Sequence, residues 1–118
     1  MKELKLKVDL TKYWEMHKYN FDNCFDHNSN NQDIYDTCVH PLIECFFAGS
    51  NTTCFAYGQT GSGKTFTMMG SIKHNNPGLY LLASRDIMKT IAKYPDIFLC
   101  ISFYEIYGTK LLDLLNEK

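Results

Sequence analysis

Leu4, Leu6, Val8 and Leu10 alternate with Lys5, Lys7 and Asp9 near the start of the chain. That period of two predicts a strand with one face in water. A turn-like stretch and a short extended piece, Tyr19-Asn20-Phe21-Asp22, lead into Asp26-His27-Asn28-Ser29-Asn30-Asn31, whose residues form loops and cap helix N-termini. Over residues 32–48 the apolar positions take helical spacing. Ile34, Cys38, Leu42 and Phe46 form one stripe and Tyr35, Val39, Ile43 and Phe47 a second, so the helix is expected to pack its wide apolar face on a sheet. Pro41 predicts a kink, because the Thr37 carbonyl loses its partner, and Gly49 predicts the stop.

Thr52-Thr53-Cys54-Phe55-Ala56-Tyr57 reads as a short strand ending abruptly at Gly58. A glycine-rich stretch follows and runs into Phe66-Thr67-Met68-Met69, which can continue as helix. Residues 71–78 are a polar loop with a strong turn signal, Asn75-Asn76-Pro77-Gly78. Residues 79–94 predict a second helix, with Tyr80, Ala83, Ile87, Ile91 and Tyr94 on its apolar side and Pro95 after it. Residues 97–107 are almost continuously apolar, as in a strand buried on both faces. Gly108-Thr109 then turns the chain into Lys110-Leu111-Leu112-Asp113-Leu114-Leu115. Strand, strand, helix, strand, helix, strand is an α/β layered order.

Composition narrows this picture. The 118 residues suit one small domain, and 45% apolar with 14% aromatic content is core-forming material. Twelve basic against 13 acidic residues, net −1, argue against a nucleic acid gripped through its phosphates. No uncharged run is apolar enough to span a bilayer, and Met1-Lys2-Glu3-Leu4-Lys5 does not read as a signal peptide. The five cysteines form no Cys-x-x-Cys pair and read as small buried hydrophobes, while the histidines are not at zinc-ligand spacing from two cysteines.

The chemistry lies in Gly58-Gln59-Thr60-Gly61-Ser62-Gly63-Lys64-Thr65, a full match to G-x-x-x-x-G-K-[ST] placed between an apolar strand and a helix. Its glycines let backbone N–H groups turn inward around phosphate oxygens, and the helix N-terminus adds partial positive charge. Lys64 is expected to reach the β- and γ-phosphates and the Thr65 hydroxyl to ligate Mg²⁺. The expected ligand is a nucleoside triphosphate or diphosphate. Hydrolysis also needs a carboxylate for the Mg²⁺ shell and a group that orients water. Glu105 superficially suits an acidic strand end, but its strand continues into Ile106-Tyr107, so a structural carboxylate is the better reading. Asp113 reads as the solvent face of a short amphipathic piece. No Asn-Lys-x-Asp motif occurs, which disfavours a GTPase, and no complete catalytic set can be named.

The stretch Cys54-Phe55-Ala56-Tyr57-Gly58-Gln59-Thr60-Gly61-Ser62-Gly63-Lys64-Thr65-Phe66-Thr67-Met68 closely resembles the P-loop signature of kinesin motor domains. Phe21-Asp22, Pro41-Leu42-Ile43, Phe103-Tyr104-Glu105-Ile106-Tyr107 and Leu112-Asp113-Leu114-Leu115-Asn116 also fall where kinesins carry similar segments. The resemblance covers nearly the whole chain. It implies an α/β P-loop NTPase fold with a central mixed sheet flanked by helices, incomplete here. Residues 1–118 are expected to be the N-terminal part of one motor domain, with the Arg-x-Arg-Pro type motif, switch I, switch II and the main microtubule-binding face outside them. It further implies ATP or ADP with Mg²⁺ on residues 58–65, with Phe66 where kinesins usually place a His near the adenine. The implied partners are tubulin and microtubules, with no nucleic acid and no membrane, in the cytoplasm on the cytoskeleton. A homodimer would form only through regions outside these residues.

Within kinesins, Lys5-Leu6-Lys7-Val8-Asp9-Leu10-Thr11-Lys12-Tyr13 resembles the kinesin-13 microtubule depolymerases, whose tubulin-contacting finger carries a Lys-Val-Asp triplet, here Lys7, Val8 and Asp9. Residues two apart on a strand share a face, so Lys7 and Asp9 are expected to project together. The same alternation is also how an edge strand guards itself, with Lys5 and Lys7 as gatekeepers. Two further functions stay open: a P-loop small-molecule kinase, and a non-hydrolysing piece that binds tubulin through residues 7–9.

Overall fold

The computed structural model of the protein describes residues 2–71, 73 and 75–116. Its first element is an antiparallel hairpin of β1 (Lys2–Leu6) and β2 (Lys12–Met16), in register Glu3↔Glu15 and Leu4↔Trp14. The strand expected to run to Leu10 stops at Leu6. Residues 8 and 9 turn, Leu10 takes a left-handed φ of 62°, and Lys7 and Thr11 close the loop with an N–H···O bond of 3.0 Å.

The helical region starts at Asn30. Its Oδ1 accepts from the amides of Gln32 and Asp33, at 2.8 and 3.1 Å, while Asp33 Oδ2 accepts from the Asn30 amide. This capping box satisfies three backbone donors at the start of α1 (Asn31–Ile34). The expected single helix is divided: a π-helical turn at Tyr35–Val39 separates α1 from α2 (His40–Phe47). Within the turn the His40 amide donates to the Tyr35 carbonyl, five residues back. The pyrrolidine ring of Pro41 collides with the carbonyl four residues before it in a regular helix. Placed in the first turn of α2, directly after the widened turn, the ring is accommodated without a break. Gly49 ends α2 at φ 92°, with the Gly49 amide on the Phe46 carbonyl and the Ser50 amide on the Cys45 carbonyl. That is the paired closure of a Schellman cap, which a glycine at this position permits.

Downstream come α3 (Lys64–Met69), the two-residue ladder of β3 (Gly70–Ser71) with β4 (Asn76–Pro77), and α4 (Leu79–Ile91). Ile72 and His74 of the expected polar loop lie outside the described residues. Tyr35, Val39, Leu79 and Leu82 are buried together, with Ile34, Cys38, Met68 and Ala83 against them. The core therefore joins the π turn to α4, with α3 beside it. On α4 the expected face is only partly used: Ala83, Ile87 and Ile91 are half-buried, Tyr80 is exposed, and Leu79 and Leu82 carry the contact instead.

The strand segments behave differently. Residues 52–57 have no ladder partner among the described residues, with Phe55 79% and Tyr57 93% exposed. Residues 97–103 are likewise outside any ladder, and only β5 (Tyr104–Tyr107) pairs, as a hairpin with β6 (Lys110–Asp113) around Gly108. Among the described residues the expected central sheet is thus represented by three separate two-stranded sheets. A parallel strand needs neighbours on its edges and helices on its faces, and the described residues do not bring these segments together. The Cα radius of gyration of 19.7 Å reflects this openness, since a compact chain of this size has about 13 Å.

Candidate functional site

Residues 58–66 form one continuous turn into a helix. Gly61 and Gly63 adopt left-handed φ values of 80° and 90°, and the Ser62 amide donates to the Gln59 carbonyl at 3.2 Å. Gly58 faces Ser62 so closely that a Cβ there would lie 2.5 Å from Ser62 Oγ. Any side chain at Gly58 would fill the loop, so the interior depends on its absence. Gly63 is the N-cap of α3 and supplies no side-chain acceptor. The amides of Lys64, Thr65 and Phe66 are accordingly uncapped donors at a helix start; the first backbone bond of the helix runs from Thr67 to the Gly63 carbonyl, 2.9 Å.

Lys64 folds back over this loop, and its Nζ donates to the carbonyls of Gly58 and Gln59, both at 2.7 Å. Thr65 follows on the first turn, and the Phe66 ring is 44% exposed. Lys64 and Thr65 also border an open groove of about 450 Å³, walled by Cys54, Phe55, Met68 and Phe103. Uncapped amides, an adjacent ammonium and a glycine cradle are the chemistry of an anion site, and the donor set fits a polyphosphate. For Mg²⁺ these residues offer the Thr65 hydroxyl.

Asn31 was not visible as part of this site. It is 2% exposed, and its Nδ2 donates to the Phe66 carbonyl at 3.0 Å and the Pro77 carbonyl at 3.1 Å. In sequence it is one more polar residue in a capping run. Only its burial and its partners, 35 and 46 residues away, separate it from Asn30. Tyr35 was assigned to an apolar stripe, yet its hydroxyl donates to Asp86 Oδ2 at 2.7 Å, and Lys89 contacts the other carboxylate oxygen at 3.3 Å. The Tyr35 hydroxyl holds the Asp86 carboxyl below its ordinary range, while burial and then Asp86 push the Tyr35 phenol well above its own.

Lys7, Val8 and Asp9 lie apart from this loop, at the tip of the first hairpin, whose strands contact chiefly each other. The expectation that Lys7 and Asp9 share a strand face is corrected by the turn. Asp9 Oδ1 accepts from the Thr11 hydroxyl at 2.6 Å and the Thr11 amide at 3.0 Å, which lowers its carboxyl pKa and uses that one oxygen to hold the loop. Lys7 Nζ stands 5.9 Å from the Tyr13 ring centroid, and Val8 is fully exposed. At the base of the same hairpin, donor atoms of Glu3, Glu15 and His17 lie within 4.8 Å of one another. The cross-strand register creates this group, and the Lys5 ammonium already pairs with both glutamates. Glu105 sits on exposed β5 opposite Leu112. Asp113 ends β6 on an exposed position, as its solvent-face reading expects, and accepts from the Leu115 amide at 3.0 Å.

The chain is similar to known proteins over nearly its whole length. The kinesin motor domain family matches residues 1–118. Kinesin-like protein KIF24 of Homo sapiens is 51% identical over 98% of the chain, and its counterpart from Mus musculus 50% identical over the same share. The chain spans 9% of the length of each of these relatives. A solved structure of KIF14 residues 391–755, with ADP in complex with a microtubule, superposes with a TM-score of 0.61 at 34% identity, covering 94% of this chain and 32% of that one. The loop and helix of residues 58–69 thus belong to a P-loop NTPase fold of the kinesin type, and the chain is a member of the kinesin motor domain family.

Proposed function

We propose that residues 58–65 bind the phosphates of Mg·ATP or Mg·ADP, and that the chain is the N-terminal part of one ATP-driven microtubule motor domain. The observation that carries this reading is Lys64, held over the mouth of a glycine loop by two backbone carbonyls beside three uncapped amides. An entering phosphate offers that ammonium a charged acceptor in place of two neutral ones, and charge-assisted bonds are the stronger. In this reading the uncapped amides of 64–66 face the phosphates, Lys64 moves onto the β/γ oxygens and Thr65 gives its hydroxyl to Mg²⁺. Phe66 offers its exposed ring to the base. Mg²⁺ held there by Thr65 would offset the negative charge of the phosphates. The KIF14 neighbour, solved with ADP and a microtubule, supports both ligand and partner.

The finer assignment follows the resemblance to the kinesin-13 depolymerases. Tubulin is contacted by Lys7, Val8 and Asp9, a charged pair flanking an exposed valine on a hairpin tip. In the whole protein, nucleotide state at the loop would be coupled to tubulin affinity, and at microtubule ends to protofilament bending, on the cytoplasmic microtubule cytoskeleton.

The test is Mg²⁺-dependent binding of a fluorescent ADP analogue to the chain, competed by ATP and GTP. Saturable binding that ATP displaces and Lys64→Ala reduces at least about tenfold is expected, the loss of a charged contact to phosphate. Equal binding by wild type and Lys64→Ala would overturn the assignment.

A further inference from the structure

We propose that Asn31 is a positioning residue for the nucleotide loop, a clamp that sets where α3 points Lys64 and Thr65. The inference rests on the nucleotide reading above and adds to it a residue outside the loop. α3 has six residues, so its two ends are not independent: the Phe66 carbonyl that Asn31 grips lies two residues after Lys64 and one after Thr65. The second Asn31 bond goes to Pro77, one residue before the Gly78 N-cap of α4. One buried amide group thereby ties α1, α3 and the entrance to α4. The Phe66 carbonyl also accepts the Gly70 amide that closes α3.

The rest of the seating is steric. A Cβ on Gly70 would collide with the Gly78 amide nitrogen and the Asn76 carbonyl, and one on Gly78 with Met69 and Gly70 backbone. Two glycines let the backbones meet at the C-terminal end of α3, and Met68 contributes an apolar contact to the core. Neither restraint fixes rotation of the helix about its own axis. A directed pair of hydrogen bonds from a side chain that is 2% exposed does. Burial also makes the bonds obligatory for Asn31, because its own amide left unmatched there would be penalised by desolvation.

The experiment compares Asn31→Ala and Asn31→Asp with Tyr35→Phe in the full chain, reading affinity for the fluorescent Mg·ADP analogue and amide hydrogen exchange of α3. Asn31→Asp keeps the shape but aims an acceptor at two carbonyls. Tyr35→Phe removes a bond from the neighbouring helical turn without touching α3. The expected result is affinity weakened about tenfold in Asn31→Ala, more in Asn31→Asp, and within about twofold of wild type in Tyr35→Phe. The Thr67 and Gly70 amides should exchange about tenfold faster in the Asn31 variants alone. Should Asn31→Ala not fold, Asn31→Ser, with a shorter donor, takes its place in both readouts. Exchange and affinity that shift equally in Asn31 and Tyr35 variants would overturn the clamp. Absence of ADP binding by wild type would overturn the nucleotide reading instead, and the exchange rates would still decide whether Asn31 holds α3.

Discussion

The helices and the strand segments of this chain are both rich in apolar residues but have very different fates. Between Asn30 and Gly49, and again in α3 and α4, backbone groups find partners within a turn and apolar faces meet around Tyr35, Val39, Leu79 and Leu82. Residues 52–57 and 97–103, more apolar still, include Phe55, Tyr57 and Phe98, among the most exposed side chains. The difference is one of hydrogen-bond reach. A helix satisfies its backbone locally, whereas a parallel strand is finished only by another strand distant in sequence. The glycine loop at 58–65 stands at the border of the two regimes: its helix is anchored, while the segment leading into it is not.

That contrast can be tested by substitution. Leu82→Ala, in the core, should destabilise the chain by about 3 kcal/mol, whereas Phe98→Ala, in the open segment, should change it by less than about 0.5 kcal/mol. Denaturant midpoints of the two variants measure this directly, and comparable losses would mean that the strand segments are packed after all. Next in size is Gly70→Ala, which combines a φ of 82° with a backbone collision. It should cost about 2 kcal/mol and disturb α3 without altering the β1–β2 hairpin. Chemical shifts of the hairpin amides would report whether the disturbance stays within the helical region.

The smallest effect sharpens the comparison inside the helices. Asp86 has its folded pKa depressed, chiefly by the Tyr35 hydroxyl, so its contribution is complete above the unfolded value of about 4 and disappears as pH falls through the depressed one. Tyr35 has its folded pKa raised, so its contribution is complete below about pH 10 and lost only as pH climbs through the raised value. Tyr35→Phe should therefore lower stability by about 1 kcal/mol at neutral pH. The gap in Tm from wild type should close below about pH 4. A gap that persists there would assign the tyrosine a packing role alone.

The local features were legible in the sequence, and the non-local ones were not. Two stripes at helical spacing identified the apolar face, of which Tyr35 and Val39 are buried while Phe46 is exposed, and the packing partner is α4 where a sheet was expected. Gly49 identified the helix end, and the glycine spacing identified the loop at 58–65. Asn31 was hidden because its partners are carbonyls, which every residue possesses. The turn at Val8 and Asp9 was hidden because alternation continues through it to Leu10, although Asp9 and Thr11, two apart, can make an Asx turn. The unpaired state of residues 52–57 depends on what lies beside them, and no pattern within six residues encodes that.

The π turn at Tyr35–Val39 has a consequence for phase. At 3.6 residues per turn, positions four apart drift by about 40°, so Tyr35, Val39, Ile43 and Phe47 would spiral through about 120° along a uniform α-helix. The wider turn offsets part of that drift, and Tyr35 and Val39 remain buried on one side while Ile43 and Phe47 stay half-buried beside them. Phe47 can then stack on Tyr94, with centroids 6.5 Å apart and planes 19° from parallel. A one-residue deletion between 36 and 38 would let the segment close as ordinary α-helix. Four residues at about 100° each sweep nearly the angle that five sweep in the wider turn, so Ile43 and Phe47 would keep their direction toward α4. A deletion inside α2 has no such slack and would turn the residues after it by about 100°. The π turn is thus where this segment can change length without changing phase.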